Sequence, residues 1–173
     1  MLKLSDLNVY VVVIISFYEI HLYICNLTNE IDMADVHTKD IRSYNMSCIK
    51  NKNTKPEMIV RQYLFKKGFR FRINEKRLPG VPDIVLPRYR TIIFVHGCFW
   101  HGHSNCRYFT LPKTRTEWWR NKINTNKKRD LDVSLELQQA GWLVLTIWEC
   151  QLKSANRQET LDNLVANIQF KSF

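Results

Sequence analysis

An α/β fold, one mixed sheet flanked by helices with a structural zinc site, is predicted by three observations. Apolar residues recur in the order helix, three strands, helix, strand, helix, a pattern that argues for helices covering a mixed sheet. The chain has 173 residues, 45% of them hydrophobic, enough for one ordinary domain with a real core and too many for a disordered tail. Cysteine and histidine collect in one irregular loop, with another cysteine at a later strand end.

The first helix begins at Thr54-Lys55-Pro56-Glu57, where Thr54 caps, Pro56 sits in the first turn and Glu57 reaches back as a capping box. Ile59, Val60, Tyr63 and Leu64 recur at helical spacing, and Gly68 closes the helix. Phe69–Ile73 alternates apolar and basic residues, as a half-buried strand does. Leu78-Pro79-Gly80 is a turn, and Asp83–Leu86 and Thr91–Val95 are short apolar strands, so the three strands can form an antiparallel meander. Residues 96–113 lack periodicity. Arg115–Ala140 is a long charged helix ending at Gly141, Trp142–Trp148 a buried strand, and residues 156–169 a last amphipathic helix. There is no internal repeat and no low-complexity segment.

The formal net charge is +10. A surplus of that size points to a polyanionic partner, nucleic acid ahead of a membrane surface. Residues 1–32 hold one lysine and four acidic residues, a net of −3, which leaves +13 for the rest of the chain. The apolar run at residues 9–18 is shorter than the roughly 20 residues needed to cross a bilayer, and Glu19 and His21 interrupt it. With one lysine before it and no small-residue cleavage pattern after it, it is a poor signal peptide. Residues 1–32 therefore read as an extension upstream of a natural start at Met33. Residues 33–53 are polar and basic, an arm or short helix on which Met46 and Ile49, three apart, can share an apolar face.

Five cysteines, at 25, 48, 98, 106 and 150, form no even disulfide framework. Cys98, His103 and Cys106 fall within nine residues, and Cys150 ends a strand. Three thiolates and an imidazole make a closed tetrahedral zinc set, structural rather than catalytic. Asp83, at the start of an apolar strand, is what a magnesium nuclease offers, a carboxylate on a rigid edge. Taken alone, a strand-start aspartate is more often a cap or turn residue. Glu57 is a second candidate carboxylate, with capping as its plainer role. His101 lies inside the metal loop but off the ligand count, free to act as a general base or to donate to a scissile phosphate, although a satisfied structural histidine fits the same spacing. Asp130 on the following helix can orient it, and His96 is available to assist. Phe99-Trp100 and Trp118-Trp119 are adjacent aromatic pairs suited to stacking between bases. Nearby Lys113, Arg115, Arg120, Lys122, Lys127, Lys128 and Arg129 are candidates for phosphate contacts.

Met33-Ala-Asp-Val-His37, Leu78-Pro-Gly80 with Pro82-Asp83, Val95-His-Gly-Cys-Phe-Trp-His101, Thr114-Arg-Thr-Glu117 with Trp119, and Trp148-Glu-Cys150 together resemble the very-short-patch repair (Vsr) endonucleases. The resemblance spans residues 33–173 in order. It implies a restriction-endonuclease-like fold, a structural zinc ion, and magnesium-dependent cleavage of one DNA strand 5′ of the thymine in T·G mispairs left by deamination of 5-methylcytosine. It implies magnesium at Asp83 and the main-chain carbonyl of Val95, where the family pattern has threonine. Catalysis falls to His101, with Glu57 and Asp130 on supporting positions; His96 is not assigned by the resemblance. Phe99, Trp100 and Trp119 match intercalating aromatics, and Met46 and Ile49 the arm that fills the minor groove. Ser104-Asn105 makes the metal loop one residue longer than the family pattern. The implied partners are mismatched double-stranded DNA, a cytosine-5 DNA methyltransferase by functional link, and repair factors. The implied setting is a monomer in the bacterial cytoplasm. Two rivals keep parts of this reading: a magnesium endonuclease of the same fold that cuts both strands as a restriction enzyme, and a zinc-stapled DNA-binding module without catalysis.

Overall fold

The computed structural model describes residues 38–50, 52–153 and 155–170. The extension at residues 1–32, the Met33–His37 motif and Cys25 lie outside them. Backbone contacts divide the chain into residues 1–44 and 45–173. The described part of the first unit is the start of helix α1 (Lys39–Ser47), where the Thr38 hydroxyl accepts the Ile41 N–H at 3.4 Å.

In the second unit the elements are α2 (Lys55–Lys66), β1 (Arg72–Ile73), β2 (Ile84–Leu86), β3 (Thr91–His96), α3 (Thr116–Gln139), β4 (Leu143–Trp148) and α4 (Arg157–Phe170). Helix α2 starts where its capping residues predict. The Thr54 hydroxyl accepts the Glu57 N–H and the Glu57 carboxylate returns to the Thr54 N–H, so two otherwise orphaned donors are satisfied. It stops at Gly68, whose φ of +88° is open to glycine at little cost and lets the Phe69 N–H reach back to the Leu64 carbonyl at 3.0 Å.

The sheet order is β1-β2-β3-β4. The first three strands form the expected antiparallel meander, and β4 pairs in parallel with β3. A parallel neighbour needs a long crossover, and α3 supplies it. Alternate residues divide between two cores. Ile84, Leu86, Ile93 and Ile147 pack with Val60 and Leu64 of α2 and with Leu161, Leu164 and Ile168 of α4. Val85, Ile92 and Val144 face the other way, onto Leu137 and Val133 of α3. The sheet is therefore clamped between α2 with α4 on one face and α3 on the other.

Two expectations shift. The strand read over Phe69–Ile73 shrinks to Arg72–Ile73, and Ile73 is exposed. Phe69 is drawn into the core against Tyr89, with ring centroids 5.1 Å apart, and β2 offers only Val85 and Ile84 as partners. Met46 and Ile49 do not share a helical face, because α1 ends at Ser47 and Ile49 sits in the turn beyond, its N–H on the Met46 carbonyl at 3.2 Å. Both side chains are exposed.

Candidate active site and metal centre

One end of the sheet gathers the chemistry. Asp83 immediately precedes β2, and the antiparallel pairing of β2 with β3 brings it to the last residues of β3. Its Oδ2 accepts the Val95 N–H at 2.8 Å, while Oδ1 makes no hydrogen bond among the described residues. Burial pushes the carboxyl up to about 6; the Val95 hydrogen bond opposes this, the charge of Glu57 adds to it, and Arg61 and His101 pull the other way. An open carboxylate oxygen on a rigid strand start fits a hard cation that needs only one or two protein carboxylates.

Glu57 is only 3% exposed, and both its oxygens are engaged. One accepts the Thr54 hydroxyl at 2.8 Å; the other accepts the Asn53 N–H at 3.0 Å and the Arg61 guanidinium at 2.7 Å. Arg61 is buried as well. It bonds the Asn53 side chain at 2.7 Å and the Asp83 carbonyl at 3.3 Å, with its Nε unpartnered. Arg61 thus bridges the two carboxylate-bearing segments. Sequence reasoning passed over it, although an arginine four residues after Glu57 and beside Val60 on the inward helix face was the available signal.

His101 stands in the loop after β3. Its Nδ1 lies 2.5 Å from Asp130 Oδ2 on α3, and Arg129 bonds the other Asp130 oxygen at 3.3 Å. Burial acts to raise the Asp130 carboxyl, but the hydrogen bond and charge of His101, the charge of His96 and the Arg129 bond outweigh it and hold the carboxyl low. An ionised carboxylate only accepts, so the proton between them belongs to His101 Nδ1, and Nε2 is left to exchange a proton. His96 stacks on His101 with centroids 3.8 Å apart and planes 7° apart. Burial, then the His101 charge, pushes His96 down to about 4, so it is neutral near pH 7. Ligand atoms of His96, His101 and Asp130 are close enough to suggest a metal site. Parallel stacked rings aim their nitrogens along parallel planes instead of at one point, so proton handling suits this trio better than chelation.

The loop itself is pinned to α3. The buried Asn126 side chain donates to the Trp100 carbonyl at 2.8 Å. Gly102 has φ +58°, and a Cβ there would lie 2.4 Å from Lys127 Cε and 2.5 Å from Ile123 Cγ2. Only glycine lets the loop approach α3 so closely and hold His101 over Asp130.

Cys98, His103, Cys106 and Cys150 converge with all four ligand atoms within 4.8 Å of one another. A tetrahedral site with metal–sulfur bonds of about 2.3 Å has edges of about 3.8 Å, so the set can hold a metal ion with little adjustment. The register explains the meeting. His96 pairs with Trp148 across β3 and β4, and Cys98 and Cys150 each lie two residues further on. Trp148 joins the two clusters, lying flat against His103 at 4.0 Å and edge-on to His96 at 5.4 Å.

Phe99, Trp100 and Trp119 form one aromatic group, with centroids 5.2–5.9 Å apart. Trp118 packs edge-on against Trp119 at 4.7 Å and is exposed, with Arg115 5.0 Å above its ring. Asp83, His96, His101, Asp130 and Trp100 line one cleft of about 1210 Å³, which Glu57 and Ile49 also reach. Lys113, Arg115, Arg120, Lys122, Lys127, Lys128 and Arg129 lie exposed on or just before α3.

The family model for DNA mismatch endonuclease Vsr matches residues 34–107, which include Glu57, Asp83, His101 and three of the four clustered metal-type ligands. The chain is 47% identical over 138 residues to the type II nicking enzyme V.NmeAIP of Neisseria meningitidis, covering 79% of this chain and 98% of that protein. It is 46% identical over 125 residues to the DNA mismatch endonuclease Vsr of Escherichia coli, covering 72% of this chain and 80% of that protein. A type II nicking enzyme of Xanthomonas oryzae, V.XorIIP, is 45% identical over 127 residues, 73% of this chain and 93% of its own length. By this likeness along most of its length, the chain belongs to the Vsr family of DNA mismatch endonucleases.

Proposed function

We propose that the chain nicks one strand of duplex DNA on the 5′ side of the thymine in a T·G mispair, the lesion left when 5-methylcytosine deaminates. The observation that carries this reading is the meeting, in one cleft, of Asp83 with an open oxygen, a His101–Asp130 pair and Trp100, which packs against Phe99 and Trp119. Aromatic side chains entering the duplex unstack a base step at a cost of a few kcal/mol. A T·G wobble step opens more cheaply than a matched one, so Phe99, Trp100 and Trp119 select the mispair partly through its deformability. Met46 and Ile49 add apolar contact in the minor groove.

A magnesium ion held by Asp83 and the Val95 carbonyl would supply Lewis-acid neutralisation of the phosphate. His101 exchanges a proton through Nε2 with the attacking water or the scissile phosphate, and Asp130 steadies the imidazolium that results. Neutral His96 shields the ring without opposing its charge. Glu57 acts through Arg61, fixing the segment that carries Asp83. Cys98, His103, Cys106 and Cys150 would hold a zinc ion, which would tie the loop to the end of β4 and contribute to folding. The fold is of the restriction-endonuclease type and the enzyme works as a monomer. Its substrate ties it to a cytosine-5 methyltransferase and to repair factors in the bacterial cytoplasm. The activity resides in residues 33–173, with residues 1–32 dispensable.

Single-turnover nicking on T·G and matched duplexes, with and without magnesium and across flanking sequences, tests the reading. One-strand cleavage confined to T·G duplexes with magnesium is expected. Cleavage of both strands of matched DNA would make this a restriction-type enzyme, and binding without any cleavage a DNA-binding module. Asp83→Ala and His101→Ala are expected to keep zinc and mismatch binding and to lose nicking; a His101→Ala protein that nicks near the parent rate refutes the mechanism.

A further inference from the structure

The cleft has a second cationic wall that the phosphate contacts expected on α3 leave out. Lys50, Lys52, Lys55 and Lys76 line it. They come from the segment leading into α2, from the first turn of α2 and from the β1–β2 connection. Lys50, Lys52 and Lys55 lead into α2, on the sheet face opposite α3, and so stand across the cleft from Arg129, while Lys76 lines the same cleft from the β1–β2 connection, whose Leu78 packs toward Val133 of α3. Between the two walls lie the carboxylates of Glu57, Asp83 and Asp130.

Folding does not account for these four charges. All four side chains are exposed, and none has an ion-pair partner among the described residues. Glu75, the acid next to Lys76, turns to Arg72 and Arg77 instead. Lys55 occupies the first position of α2, where a cation opposes the helix dipole. Four lysines without an ion-pair partner among the described residues, lining a cleft with Glu57, Asp83 and Asp130 and one of them set against its own helix, describe a surface arranged for an anion outside the chain.

We propose that Lys50, Lys52, Lys55 and Lys76 form a second phosphate-binding bank, so that the duplex lies across the cleft with one backbone against α3 and the other against this wall. The inference rests on the DNA-nicking reading above and extends it from one wall to two. Repeated phosphates suit such a bank: each lysine meets one as a point charge, and opposing contacts fix the register of the duplex over Asp83 and His101 without reading its sequence.

The test is the salt dependence of duplex binding by the full chain. Each phosphate contact contributes about 0.9 to the slope of log affinity against log salt concentration. Replacing all four lysines with glutamine (Lys50→Gln, Lys52→Gln, Lys55→Gln, Lys76→Gln) is expected to flatten the slope by up to about 3.6. The loss is expected to be equal on T·G and matched duplexes, with unfolding temperature and zinc content unchanged. Lys66→Gln with Lys67→Gln, at the far end of α2, is expected to leave the slope as it was. A quadruple variant that keeps the parent slope overturns the second bank, and so does a loss confined to the T·G duplex. A parent protein whose duplex binding ignores salt overturns the nicking reading itself and this inference with it.

Discussion

Arg61→Met isolates the buried bridge beneath the site. The substitution keeps the unbranched apolar stem of the side chain but removes the one cation that bonds Glu57 among the described residues, and Glu57 is 3% exposed. Breaking a buried pair from one side costs about 3–5 kcal/mol, because the remaining charge stays desolvated. Glu57 would still accept from the Thr54 hydroxyl, the Thr54 N–H and the Asn53 N–H, so the cost falls at the lower end, about 3 kcal/mol. For a domain of this size each kcal/mol shifts the unfolding temperature by roughly 4 °C, so a fall of about 12 °C is expected. Glu57→Gln with Arg61→Met removes the stranded charge and is expected to recover most of the loss, giving a large coupling energy in a double-mutant cycle. Arg61→Lys is expected to fall between, since one ammonium cannot reproduce bonds to Glu57, Asn53 and the Asp83 carbonyl. The measurement is thermal unfolding of the metal-loaded protein beside magnesium titration of nicking. If Arg61→Met loses under about 1 kcal/mol and the double variant regains nothing, the bridge is not the constraint described here.

Gly102→Ala forces a left-handed alanine into contact with Lys127 and Ile123 and is expected to cost at least about 1–2 kcal/mol while slowing nicking more than DNA binding, read by urea unfolding and single-turnover rates. Phe99→Ala with Trp100→Ala is expected to reduce mismatch preference about tenfold or more, from stacking worth roughly 1–3 kcal/mol per base, with zinc content intact; unchanged discrimination between T·G and matched duplexes would remove these rings from recognition. Metal analysis is expected to give about one zinc ion per chain, and chelation or Cys98→Ala to unfold the protein, whereas equal stability without metal would end the structural role of the cluster.

Short-range features were legible in the sequence because their physics is short-range. The Thr54–Glu57 box and the Gly68 stop involve groups within one helical turn, and both appear where their residue types demand. The loop cysteines and histidine are neighbours along the chain, so their spacing alone announced a cluster. The order of elements followed from apolar periodicity, which overstated only the length of the first strand, Arg72–Ile73, because core burial of Phe69 competed with strand alternation. Asn126 escaped notice because its partner, the Trp100 carbonyl, lies on another element, and Arg61 because its spacing from Glu57 marks an inward face but not the Asp83 carbonyl it also reaches.

What the sequence by itself determined was therefore the parts: which segments are helix or strand, which loop carries thiols and imidazoles, and which residues could ionise near them. The tertiary structure alone decided how those parts meet. Parallel pairing of His96 with Trp148 sets Cys150 beside Cys98, although a shift of one residue would turn it to the other face of the sheet. Antiparallel pairing of β2 with β3 carries Asp83 to the Val95 N–H, and the packing of α3 across the sheet sets Asp130 on His101. Strand register and helix docking follow from matching whole apolar faces across the core, a property of many residues at once that no single motif contains.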